Sequence, residues 1–179
     1  ELRADVATAV FEFVVMFLGF AIVLPYAWGV LGGPEALAAA LPPGHLVWHG
    51  GHPPQHIVVW FLIALWTLVD PSFHQRCYAA RSPAVARNGI LLSIPFWFVF
   101  DMMTALAGLY ARAIVPALDD PVMAYPMLAQ AVLPPVAKGV FFAGMLATIM
   151  STLNTAAFVS AASLGRDIVW RDGQAREVG

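Results

Sequence analysis

Residues 138–166 read KGVFFAGMLATIMSTLNTAAFVSAASLGR, and between Lys138 and Arg166 lie 27 consecutive residues without a charge. A helix needs about 20 residues to cross the roughly 30 Å hydrocarbon core of a bilayer, so this stretch is long enough to span one. The whole chain has the same character. Its 179 residues are 60% hydrophobic and 11% charged, whereas an average soluble domain is about 45–50% apolar and roughly 25% charged. Mean hydropathy is +0.76. A water-soluble globule is excluded, and the chain reads as an all-α membrane protein with room for four transmembrane helices. A formal net charge of −2 and a pI near 6.2 leave no basic footprint for nucleic acid. The single cysteine excludes an internal disulfide and a Cys-based zinc site. The chain opens on Glu1, with no charged leader before a short apolar stretch and cleavage site, as an excerpt of a longer polypeptide would.

Three further spans are expected. One covers about 6–31, interrupted by Glu12 and Pro25, with Tyr26 and Trp28 suited to a membrane–water interface. A second covers about 57–80. It opens with the apolar run IVVWFLIALWTLV (57–69), which stops at Asp70-Pro71. Thirteen residues are too few to cross, so SFHQRCYAA (72–80) must supply the remaining turns, kinked at Pro71. A third covers about 89–115, with Asp101 near its middle, and the fourth about 138–164. Residues 32–56 and 116–137 read as loops on one side and residues 81–88 as a loop on the other. Within the second of these, MAYPMLAQAVLPP (123–135) suggests a short interfacial helix between proline breaks.

Arginine placement orients the spans. Arg3, Arg76, Arg81, Arg87, Arg166, Arg171 and Arg176 share one side, seven of the nine basic residues, while Arg112 and Lys138 lie opposite. Both chain ends and the 81–88 loop are therefore expected in the cytoplasm, and 32–56 and 116–137 outside.

Charges inside apolar spans cost at least about 2.5–3.5 kcal/mol and need a partner or a wet cavity. Asp101 is a candidate ligand for an ion, proton or cationic solute, or a carboxyl satisfied by a neighbouring helix. Glu12 lies nearer the cytoplasmic face. Asp70 is expected to tie down backbone N–H groups at the break or to pair with Arg76. On the fourth span, Ala143, Ala147, Ser151 and Thr155 form one row, and Gly144, Thr148, Thr152, Ala156 and Ser160 another. Rows at i, i+4 share a face. Such a stripe serves close helix packing or a cage of hard oxygen ligands for sodium. In the second case the Ser151 and Thr152 hydroxyls would join the Thr148 carbonyl. Composition does not choose between the two. His45, His49, His52 and His56 have helical spacing, but Gly50, Gly51, Pro53 and Pro54 interrupt it, so a solvated loop is expected rather than a metal site.

Two stretches resemble the sodium:solute symporter family. DPSFHQRCYAARSPAVARNG (70–89) is similar to the junction after its sixth core helix, where a Gln-Arg pair precedes an Ala-Ala-basic run. KGVFFAGMLATIMSTLNTAAFVSAASLGRDIV (138–169) resembles its eighth core helix, with the hallmark Met150-Ser151-Thr152-Leu153 and the acid Asp167. Gly108-Leu109-Tyr110-Ala111-Arg112 with Pro116 is similar to the outer end of the seventh, and LRADVATAVFEFVVMFLG (2–19) resembles the fifth.

The resemblance implies a LeuT-like inverted-repeat bundle, of which this chain holds the last helix of the first repeat and three helices of the second. It implies that Ser151 and Thr152 supply hydroxyls, and Thr148 its carbonyl, to a sodium site completed by a core helix absent here. Where several members read Thr-Asp-x-x-Gln on the fifth helix, this chain reads Thr8-Ala9-x-x-Glu12. A second cation would then rest on Glu12, with Asn154 and Thr155. Trp66-Thr67 stands where sugar-transporting members place Tyr-Trp, and Trp97 aligns with a lysine they carry. Asp101 lies one turn beyond Trp97. These departures disfavour a sugar; with Trp66, Thr67, Trp97 and Asp101 as solute contacts, an amine-bearing or amphipathic solute is expected. The implied function is sodium-coupled import of a small solute across the plasma (inner) membrane, without enzymatic chemistry. A sensor module built on the same bundle and a proton-coupled permease using Asp101 are the rivals.

Overall fold

Among the described residues, five of the seven α-helices begin on a proline, where the missing N–H costs nothing and the fixed φ suits the first turn. A computed structural model describes residues 2–165, and among these it contains helices and no strand. The α-helices are α1 (Leu2–Leu31), α2 (Pro34–Ala40), α3 (Pro54–Ile63), α4 (Pro71–Ala79), α5 (Pro83–Ile114), α6 (Ala124–Val132) and α7 (Pro135–Ser163). Short 3-10 turns precede α4 (Ala64–Leu68) and α6 (Pro121–Met123). Arg166, Asp167, Arg171 and Arg176, used above for orientation and resemblance, lie outside the described residues.

By length and hydropathy α1, α5 and α7 are each able to cross a bilayer. A fourth crossing requires α3, its 3-10 extension and α4 to act as one span, bent by 46° at the break. The break has a local cause. Pro71 has no N–H to continue the preceding helix, and the Asp70 carboxylate accepts from Ser72 N at 2.8 Å and Ser72 Oγ at 2.6 Å, capping a new start. Ser82 caps α5 in the same way, accepting from Val85 N at 3.3 Å. Because α5 starts at Pro83, it extends six residues before the expected 89. The expected loop at 32–56 contains α2, and α6 occupies the stretch expected to form a short helix between proline breaks.

Helix α1 is the hub, touching α5, α6 and α7. Its closest neighbour is α7. Lipid tails are as apolar as the side chains they replace, so close van der Waals contact rather than water exclusion draws spans together. Gly19 and Gly144 provide it: a Cβ built on either would lie 3.0 Å from the other's Cα. Around this crossing, Phe20 packs edge-on against Phe100, Tyr125 and Phe141, at centroid distances of 5.3, 5.4 and 5.4 Å. Phe141 is completely buried, as are Val23 and Leu128. At the far end of α1, Gly32 takes a left-handed φ of +105° that closes the helix. Its carbonyl accepts the Tyr110 hydroxyl at 3.0 Å, tying α1 to α5.

Candidate cation and solute site

Helix α7 turns Thr148, Ser151 and Thr152 toward a cavity of about 450 Å³, which Glu12 lines from α1, Arg76 from α4, and Ser93 and Trp97 from α5. Phe13, Phe17, Phe96 and Phe100 complete much of the wall, and their edge-to-face and tilted contacts form one aromatic cluster. The volume lies within the roughly 300–1,000 Å³ usual for small-molecule sites.

The hydroxyls of α7 are arranged by the helix itself. Thr148 Oγ1 donates to Gly144 O at 3.0 Å, and Thr152 Oγ1 to Thr148 O at 3.3 Å. Donating its proton back along the helix leaves the Thr152 oxygen with lone pairs to offer. The Thr148 carbonyl keeps a second lone pair. Among the described residues Ser151 Oγ makes no hydrogen bond. The α7 side of an otherwise largely apolar cavity therefore carries neutral oxygens.

Two polar links cross between helices beside these oxygens. Glu12, only 5% exposed, is the one buried charged side chain among the described residues. Asn154 Nδ2 donates to its Oε1 at 2.9 Å, joining α7 to α1. One residue further, Thr155 Oγ1 accepts from Arg76 Nη2 at 2.8 Å and itself donates to Ser151 O at 2.9 Å, joining α4 to α7.

The structure thus brings Thr148, Ser151, Thr152, Glu12 and Trp97 to one cavity, with Asn154 and Thr155 anchoring its edge. It does not bring Trp66, Thr67 or Asp101 there. Trp66 and Thr67 lie exposed in the 3-10 turn, Thr67 Oγ1 donating to Ala64 O at 2.8 Å, and Asp101 is exposed beside the buried Phe100. Asp70 caps α4 instead of pairing with Arg76. No group of three or more His, Cys, Asp or Glu among the described residues is placed to hold a metal ion. The histidines make local contacts: His52 stacks on His56 at 4.3 Å, and Trp60 Nε1 donates to His56 Nε2 at 2.9 Å. Sequence reasoning missed Arg76 and Ser93 as cavity residues. A lone cation just past the break of an otherwise apolar span was the available signal for Arg76.

The sodium/pantothenate symporter of Haemophilus influenzae is 28% identical over 175 residues, an overlap that covers 93% of this chain and 36% of that protein. The sodium/pantothenate symporter of Escherichia coli K12 is 28% identical over 109 residues, covering 61% of this chain and 23% of that protein. The chain thus spans about a third or less of the length of these relatives. No solved structure matches significantly. The model of the sodium:solute symporter family matches residues 2–177. With that match over nearly all of its length, and with apolar helices suited to crossing a bilayer, this multi-pass membrane chain belongs to the sodium:solute symporter family.

Proposed function

We propose that the intact protein couples the inward sodium gradient to import of a small solute, with the α1/α5/α7 cavity as part of the transport site. The observation that carries this is that Thr148, Ser151 and Thr152 line one cavity large enough for a small solute, in a chain of this family; we assign the cation to the Thr148 carbonyl and the Ser151 and Thr152 hydroxyls. Sodium sits at those three oxygens, and the remaining ligands come from a part of the protein outside this chain. Pantothenate, named in both relatives, is the first candidate solute. The wider architecture is LeuT-like, with alternating access by rocking of one helix bundle against another. The 80–82 turn and both ends of the chain face the cytoplasm of a cell whose plasma membrane holds the protein.

The geometry favours one cation over two. Arg76 holds its positive charge against Thr155, where a second cation shared by Glu12, Asn154 and Thr155 would have to sit. It also favours sodium over a proton relay through Asp101, which stands away from the cavity. The test is uptake of labelled pantothenate by vesicles carrying the intact protein, with an inward sodium gradient or an equal potassium gradient. Uptake under sodium alone is expected. Equal uptake under both, or uptake that follows a pH gradient and ignores sodium, overturns the proposal.

A further inference from the structure

We propose that Arg76 is the anchor for a carboxylate on the transported solute, and that the cavity is built to hold one monovalent cation and one monoanion together. This rests on the cavity being the transport site. Among the described residues, Arg76 is the one cationic side chain lining it. Its guanidinium has five N–H donors, and among the described residues it makes a single hydrogen bond, to the neutral Thr155 hydroxyl. It makes no ion pair among the described residues. An exposed guanidinium at the edge of an aromatic-walled cavity, held by one neutral acceptor among the described residues, matches the planar fork of a carboxylate.

The position of the anchor relates it to the cation. Thr155 follows Ser151 by one helical turn, about 6 Å of rise, and donates to the Ser151 carbonyl. A carboxylate bound to Arg76 therefore lies within a turn of the Ser151 and Thr152 hydroxyls, between two positive charges. Phe13, Phe17 and Trp97 provide the apolar surface for the rest of such a solute.

Charge balance turns this placement into coupling. Among the described residues, the charged groups on the cavity wall are the Glu12 carboxylate and the Arg76 guanidinium, which sum to zero. A sodium ion alone leaves the site at +1, and an anionic solute alone leaves it at −1. Both together restore neutrality. In surroundings of low dielectric the unbalanced states are the costly ones, so each ligand tightens the other, and the coupling is reciprocal.

The experiment compares binding to the purified intact protein of pantothenate and of panthenol, which has the same skeleton with an alcohol in place of the carboxylate. It uses wild type, Arg76→Gln and Arg76→Lys, with and without sodium, and titrates sodium alone in parallel. The wild type is expected to prefer acid over alcohol by at least about tenfold in sodium. Arg76→Gln removes the preference, Arg76→Lys keeps part of it, and sodium alone binds Arg76→Gln more tightly because a repelling charge has gone. An Arg76 that merely braced the helices would not tighten sodium. No preference in the wild type, or an unchanged preference with unchanged sodium affinity in Arg76→Gln, overturns the proposal. Sodium-independent uptake by the wild type overturns the transport reading itself.

Discussion

Replacing Gly144 by alanine tests how the walls of the cavity are held together. The new Cβ would lie 3.0 Å from Gly19 Cα and 3.0 Å from Val15 O, about 0.4 Å short of the 3.4 Å at which ordinary contact begins. Both obstructing atoms are backbone, so neither can rotate away. Helix α1 must retreat or tilt, and overpacking of this kind costs about 1–3 kcal/mol. Alanine returns up to about 1 kcal/mol through its higher helix propensity, leaving a net destabilisation of about 0–2 kcal/mol. Gly139 supplies the control on the same helix. Nothing lies within 4 Å of a Cβ built there, so Gly139→Ala gains propensity without a clash. The two variants of the intact protein are thus expected to differ by about 1–3 kcal/mol in reversible denaturant unfolding, with Gly144→Ala the weaker. The Glu12–Asn154 bond crosses the same pair of helices ten residues further along α7, so Gly144→Ala is also expected to weaken sodium binding. Equal unfolding of the two variants would refute the reasoning.

Two other perturbations follow from single bonds. Asn154→Ala strips the buried Glu12 carboxylate of its amide donor and is expected to lower stability by about 1–3 kcal/mol; the double variant with Glu12→Gln should recover part of the loss, and a purely additive result in unfolding measurements would contradict the pairing. Tyr110→Phe removes the hydroxyl that reaches Gly32 O at 3.0 Å, at an expected cost of about 0.5–1.5 kcal/mol. Sodium affinity should stay unchanged in that variant, because the bond lies away from the cavity; a raised sodium requirement would contradict it.

The long apolar runs made the helical, membrane-crossing class readable, because a bilayer imposes a length that few other environments demand. Asp70-Pro71 marked the break for the same kind of local reason, a missing N–H followed by a capping carboxylate. Met150-Ser151-Thr152-Leu153 pointed to the cavity-facing side of α7. Pairings across the sequence were not readable. Glu12 meets Asn154 and Arg76 meets Thr155 across 142 and 79 residues, and no local periodicity carries such a distance. Trp66 and Thr67, expected as solute contacts from the resemblance, lie exposed in a 3-10 turn and do not line this cavity. A 3-10 turn advances 3.0 residues per turn instead of 3.6, a local change of winding that a motif match does not reveal. Gly144 stood in a small-residue row suited to close helix packing, but its partner Gly19 was not readable, because a single glycine announces nothing until the helices cross.

Titration of radioactive sodium onto the purified intact protein, wild type against the Ser151→Ala/Thr152→Ala double variant, bears most directly on where the driving ion sits. Loss of two of its oxygen ligands is expected to raise the half-saturating sodium concentration by at least about tenfold, equivalent to about 1.4 kcal/mol, with the fold intact by circular dichroism. A double variant that remains folded and binds sodium as tightly as the wild type contradicts the placement.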